Sequence, residues 1–256
     1  MLTVIKIGGN IVDKPDDLDS FLEEFAKIEG PKILIHGGGV MASELSAKLG
    51  IKTTMHNGRR VTDFETLKLV SMVYAGWINK NIVAKLQKIG CNAIGLSGAD
   101  GDCVPAVKRS PIPVDFGYVG DVDPFKINTS LIMSLLGRGI TPVFCAITHD
   151  RNGSILNTNA DTMASGVAIA LAKDYYTRLI YCFEKQGVLS DPNNEESVIP
   201  LINRKRYEEL KADGTVKDGM IPKIDNAFYA IANGVAEVVI KHAANLSNDK
   251  GSLLKE

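Results

Sequence analysis

Paired cysteines are missing from this chain. Its four cysteines, Cys91, Cys103, Cys145 and Cys182, lie far apart and form no CxxC pair. That excludes a zinc finger and a disulfide framework, and it predicts reduced thiols, several of them in the core. Long apolar runs are missing as well, so no membrane-spanning helix is expected. The apolar stretch at Met1–Gly9 is too short for a secretory leader, and a reduced cytoplasmic setting is the expectation. Charge of one sign is absent: 29 Lys and Arg face 30 Asp and Glu, a formal net charge of -1. Such a balance offers no field to nucleic acid or to an anionic membrane, so neither is expected as a partner. A Walker motif is absent too, which excludes an ordinary P-loop.

What is present is a 256-residue chain that is 45% hydrophobic, enough for one large unit, whole or in two lobes. Short apolar runs alternate with helical periodicity, which argues for an α/β sheet wrapped by helices. Strands are predicted at Thr3–Ile7, Lys32–Ile35, Cys91–Leu96, Thr141–Ile147, Arg178–Phe183 and Glu237–Ile240. Leu18, Phe21, Leu22, Phe25 and Ile28 recur at helix spacing until Gly30. Further helices are expected over Val40–Leu49, from a Thr62 capping box to Lys88, from Asn128 or Thr129 to Gly137, over Asp161–Leu171, from Asn203 to Lys211 and over Ile221–Ala232. Val104–Val122 reads as a hairpin excursion over the sheet, and Asn152-Gly153 as a hairpin turn. The softest seam falls near Lys173-Asp174, so two lobes sharing one continuous sheet are expected, 1–172 and 173–256.

Two strands end in glycines. Lys6-Ile7-Gly8-Gly9 puts a lysine inside an apolar strand just before a glycine pair, and His36-Gly37-Gly38-Gly39 follows the second strand. Glycine lets backbone N–H groups approach an anionic oxygen with no Cβ between, and a helix N-terminus adds partial positive charge. Neighbouring parallel strands would bring both turns to one sheet edge, where open α/β sheets bind ligands. His36 reads as a structural histidine with no catalytic role. Three further clusters stand out. Arg59-Arg60 precedes the capped helix, where an arginine can clamp a carboxylate. Asn157-Thr158-Asn159-Ala160-Asp161 opens another helix and holds more polar groups than a cap needs. Lys223 follows Lys217-Asp218-Gly219-Met220. No metal-ligand set is suggested.

Taken in order, K-x-G-G, H-G-G-G, N-G-x-R-V-T, N-x-N-A-D and D-G-M-x-x-K resemble the acetylglutamate kinases of the amino-acid kinase family along nearly the whole chain. The resemblance implies a three-layer αβα sandwich around a mainly parallel open sheet, with two lobes. It implies ATP-dependent phosphorylation of the side-chain carboxylate of N-acetyl-L-glutamate in arginine biosynthesis, with Mg²⁺ carried on the nucleotide phosphates. Lys6 and Lys223 would stabilise charge on the transferring phosphoryl group, Gly9 and Gly38 would donate N–H to it, and Asp161 would organise the lysines. Gly38, Gly39, Arg60 and Asn157 would bind the acylated glutamate. Glu184, Lys185, Gln186, Gly187, Val188 and Leu189 would carry the nucleotide with Thr215, Val216 and Lys217. A carboxylate nucleophile, with an intrinsic pKa near ~4.3, needs no general base.

Two departures from the family pattern stand out. Glu184-Lys185 replaces the Asp-Val more usual in the nucleotide segment, and Arg59 occupies a position that is more often apolar. The second cation suits a larger or more anionic acyl group, so N-succinylglutamate is expected to compete as substrate. Arginine-inhibited hexameric relatives carry an N-terminal helix ahead of the first strand; without it, a homodimer lacking arginine feedback is expected, with Tyr74 and Trp77 on the long helix as interface candidates. The alternatives are another amino-acid kinase activity, on carbamate or glutamate, and a non-catalytic small-molecule-binding homologue.

Overall fold

The computed structural model describes residues 1–56, 59–217 and 220–256. Asn57 and Gly58 of the N-G-x-R-V-T motif, and Asp218 and Gly219 of D-G-M-x-x-K, lie outside the described residues. The first half of the chain runs β1 (Leu2–Ile7), α1 (Gly9–Val12), α2 (Pro15–Lys27), β2 (Lys32–His36), α3 (Gly39–Lys48), β3 (Thr54–His56), β4 (Arg59–Val61), α4 (Phe64–Ser71), α5 (Asn79–Lys88), β5 (Ala93–Leu96), β6 (Ala106–Lys108) and β7 (Val119–Val122). The second half continues α6 (Ser130–Gly137), β8 (Thr141–Cys145), β9 (Ile147–His149), β10 (Ile155–Thr158), α7 (Ala160–Leu171), β11 (Thr177–Phe183), β12 (Leu201–Ile202), α8 (Arg204–Ala212), α9 (Met220–Ala232), β13 (Glu237–His242) and β14 (Ser252–Leu254). A π-helical turn, Met72–Ile78, joins α4 to α5.

The main sheet has eight strands in the order β12-β14-β13-β11-β1-β2-β8-β5. The strands from β13 to β5 all run parallel, and the edge pair β14 and β12 runs antiparallel to them. Parallel strands covered on both faces read as continuous apolar runs, and β1 is buried at every position. The pleat then sorts alternate side chains to opposite faces. Leu2, Val4, Ile33, Ile35, Phe144, Leu179 and Tyr181 pack with α6, α7, α8 and α9 on one face. Ile5, Ile7, Leu34, Val143, Cys145 and Ile180 pack with the helices of the first hundred residues on the other. This is the expected three-layer sandwich around a mainly parallel sheet.

Local chemistry accounts for the helices. In α2, Pro15 sits at the first turn, Asp16 and Asp17 face the positive end of the dipole, and Leu18, Phe21, Leu22 and Phe25 form the buried stripe. Phe25→Ala would cost about 3–5 kcal/mol by the cavity it leaves. The helix after Thr62 corrects the expected cap. Asp63, not Thr62, accepts from Thr66 N, because Thr62 is held in an extended bridge to Gly117 and its hydroxyl is already bonded. The strand expected over Thr141–Ile147 breaks at Ala146, whose N–H turns aside to the His36 carbonyl.

The two predicted hairpins form a second sheet, β6-β7-β10-β9. It overlies the C-terminal edge of the main sheet, tied there by Thr158 N to the Ala146 carbonyl. The short edge strands β12 and β14 and the β3–β4 hairpin carried no sequence expectation. All four cysteines are free and buried. Burial pushes the Cys145 and Cys182 thiols up to about 12, which makes them inert core residues. No helix among the described residues is long and apolar enough to cross a membrane.

Candidate active site

Parallel β1 and β2 deliver their glycine turns to the same edge, with Ile7 paired to His36 in register. Gly9 opens α1 and Gly39 opens α3, so two helix N-termini meet beside the ends of the strands. The N–H groups of Gly9 and Gly38 have no backbone acceptor among the described residues. The approach is close: a Cβ on Gly9 would touch Gly39 N at 3.8 Å, and a Cβ on Gly38 would drive into Ile78 Cδ1 at 2.3 Å. These corners floor a cleft of about 510 Å³. Lys6, Arg59, Arg60, Asn157, Asp161, Glu184 and Lys223 also line it.

The two distant lysines converge there. Lys6 Nζ lies 2.7 Å from Asp161 Oδ1, an ion-pair contact that is not aligned as a hydrogen bond. Asp161 is placed by the first turn of α7, whose N-cap is Asn159, accepting from Thr162 N at 3.0 Å. Lys223, on the first turn of α9, brings its Nζ to 3.9 Å from the centre of the Phe183 ring, and Lys6 Nζ is 4.8 Å from that same centre. One aromatic ring is thus in cation–π reach of both ammonium groups. Burial lowers the Lys223 pKa; Asp161 counters this and Lys6 adds to it. Four cations against two carboxylates leave the cleft positive, a setting for polyanions.

The arginine pair divides its work. Arg60 is 7% exposed and already committed: its guanidinium donates to the Gly39 carbonyl at 2.8 Å, Ser43 Oγ at 2.7 Å and Thr53 Oγ1 at 3.2 Å. Its side chain also lines the cleft. Asn157 is likewise anchored, its Nδ2 donating to Thr62 Oγ1 at 3.0 Å, which leaves its carbonyl oxygen to a ligand. Arg59 is half-buried with no hydrogen-bond partner among the described residues. Burial lowers its pKa, and Arg109 lowers it further against the pull of Asp121 and Asp161. No group of three His, Cys, Asp or Glu side chains among the described residues is arranged to hold a metal ion.

The amino acid kinase family model matches residues 1–242. The chain is 51% identical over 255 residues to acetylglutamate kinase of Phocaeicola vulgatus, covering 100% of this chain and 98% of that protein. It is 53% identical over 247 residues to acetylglutamate kinase of Cytophaga hutchinsonii, covering 96% and 92%. A solved protein from Streptococcus mutans superposes with a TM-score of 0.81 at 30% identity, covering 99% of this chain and 98% of the other. The chain belongs to the amino acid kinase family.

The segment expected to carry the nucleotide lies largely outside the cleft. Glu184 lines it, while Lys185 turns away to pair with Glu195 at 2.6 Å and the Gln186 side chain is held by Asn245. Gly187 packs so tightly that a Cβ would sit 2.7 Å from Ser252 Oγ. Val188 and Val216 are core residues, 1% and 2% exposed, so their side chains face inward. Leu189 bridges to Val198, Thr215 bonds the Asp213 side chain, and Lys217 is exposed. Phe183 and Ser43 are among the cleft residues that escaped the sequence reading of this amino acid kinase. Phe183 was only a strand end, and its role as platform needs the lysines to be seen above it. Ser43 was one polar residue on α3, and its signal lies in the contact with Arg60.

Proposed function

We propose that this chain is an ATP-dependent kinase of the side-chain carboxylate of N-acetyl-L-glutamate, forming the acyl phosphate in arginine biosynthesis. The observation that carries this reading is the meeting of Lys6 and Lys223 around the Phe183 ring beside two glycine corners. The nucleophile is already ionised, so the obstacle is bringing an anion up to a polyanion. Lys6 and Lys223 neutralise the migrating phosphoryl group, Asp161 holds Lys6 in place, and Gly9 and Gly38 offer N–H donors. Arg60, Asn157, Gly38 and Gly39 seat the acylated glutamate. ATP enters with Mg²⁺ as one substrate, the ion carried on the nucleotide phosphates. Glu184–Leu189 and Thr215–Lys217 form the nucleotide wall, through backbone at Val188 and Val216. Residues 1–172 then form the acceptor lobe and 173–256 the nucleotide lobe.

Full-length likeness to acetylglutamate kinases at 51% identity favours this reading over carbamate or glutamate phosphorylation and over a non-catalytic binder. ADP release with N-acetylglutamate, with and without Mg²⁺, tests it; no release under either condition would end it. One observation favours a second acyl group: Arg59 lines the cleft with no hydrogen-bond partner among the described residues, as a receptor for a further carboxylate would. Comparing kcat/KM for N-succinylglutamate and N-acetylglutamate decides between them, and a strong acetyl preference removes the succinyl reading. A homodimer in the cytoplasm completes the proposal. Trp77, 64% exposed on the long helix, is its interface candidate, whereas Tyr74 is buried within its own chain.

A further inference from the structure

The second glycine corner is braced from behind by two buried side chains that no substrate would touch. Asn79 is 1% exposed and stands where the π-helical turn gives way to α5. Its Nδ2 lies 2.9 Å from the Val143 carbonyl and 3.0 Å from His36 Nε2. A carbonyl only accepts, so the group facing Val143 is the NH₂, and its second hydrogen goes to Nε2. The imidazole proton therefore sits on Nδ1, which donates to the Gly37 carbonyl at 2.8 Å. Burial drives the His36 pKa down to about 4, so one neutral tautomer persists around neutral pH.

The Gly37 carbonyl and the Gly38 N–H belong to one planar trans peptide and point in opposite directions. Holding that carbonyl on His36 fixes where the Gly38 N–H points. The π-helical turn closes the far side, because a Cβ on Gly38 would lie 2.3 Å from Ile78 Cδ1 and 2.8 Å from Tyr74 Cδ1. Wide π turns are rare and gather at functional sites. Strand β5 is shaped around the same amide, since a Cβ on Gly95 would lie 1.9 Å from Asn79 Oδ1.

We infer that Asn79 and His36 form a positioning relay that aims the Gly38 N–H at the transferring phosphoryl group, with the imidazole as a fixed neutral donor. This rests on the kinase reading above. The wild type, His36→Asn, His36→Gln and Asn79→Ala are compared in kcat, KM, Tm and ¹⁵N imidazole spectra. An asparagine amide stands where Nδ1 stood, so His36→Asn keeps kcat within about threefold, whereas glutamine reaches the Nε2 position and releases Gly37, lowering kcat about thirtyfold with both KM values within about twofold. Asn79→Ala lowers kcat about tenfold and gives His36 a mixture of tautomers. Equal losses in both His36 variants, in step with Tm, would reduce the pair to packing and overturn the relay. So would a wild-type His36 that carries its proton on Nε2 or titrates near its ordinary ~6.5, a readout that holds even if the variants do not fold. A wild type inactive on every acylglutamate overturns both readings; an active one isolates the relay.

Discussion

The two walls of the cleft are built differently. On the acceptor wall, Arg60, Asn157 and the Gly38 corner are each bonded to the protein before any ligand arrives. On the nucleotide wall, Glu184 and Lys223 take no hydrogen bond among the described residues, and the following segment packs its apolar side chains inward. The difference teaches which groups a ligand finds ready. A pre-bonded donor loses little entropy on binding, so it selects a shape; a charge with no hydrogen bond among the described residues is left to respond to whatever anion or cation enters.

The largest expected effect falls on the charge centre between the two walls. Lys6→Ala should keep Tm near wild type and lower kcat on the order of a hundredfold or more, equivalent to about 3 kcal/mol of transition-state stabilisation. Near-wild-type turnover would remove Lys6 from the chemistry. Arg60→Ala should act on the acceptor wall instead, raising KM for the acylglutamate and costing roughly 2 kcal/mol in denaturant unfolding, because the Gly39 carbonyl and Ser43 lose a partner. An unchanged KM would show that pre-bonding there serves stability alone.

Smaller effects sharpen the contrast. Gly187→Ala should destabilise by about 1–3 kcal/mol and raise KM for ATP while sparing that for the acylglutamate. A shift in the acylglutamate KM would contradict the division of the walls. Because burial lowers the Lys223 pKa, its positive charge is lost as pH rises, below the range of an ordinary lysine. The pH profile of kcat should therefore fall on its alkaline side, and Lys223→Arg should carry the plateau to higher pH. Lys185→Ala should do least, leaving turnover within about threefold, since its pairing with Glu195 is a surface one.

Much of this was legible in the residues. Glycine turns after β1 and β2, the Asn159 cap and the apolar runs of parallel strands are local signals, and each appears where the pattern put it. The cap at Thr62 was misplaced by one residue because Thr62 is claimed from a distance, by Asn157 and by the bridge to Gly117. Edge strands β12 and β14 were illegible because a strand of two or three residues carries no period to read. Residues 184–189 are expected at the nucleotide, and what the pattern does not show is that the Val188 side chain faces the core, with Ser252 and Val198 packed on the far side of the turn.

Sequence alone determined the kinds of group available: lysines beside glycine turns, a carboxylate behind an N-cap, and apolar runs that commit the chain to a covered parallel sheet. Only the tertiary structure decided that Lys6 and Lys223 meet around one aromatic ring, that Arg60 is already engaged while Arg59 has no hydrogen-bond partner among the described residues, and that a buried amide bonds His36. The reason is range. Backbone propensity and periodicity act over a few residues, whereas charge pairing and close packing act between parts of the chain that only folding brings within a few ångströms.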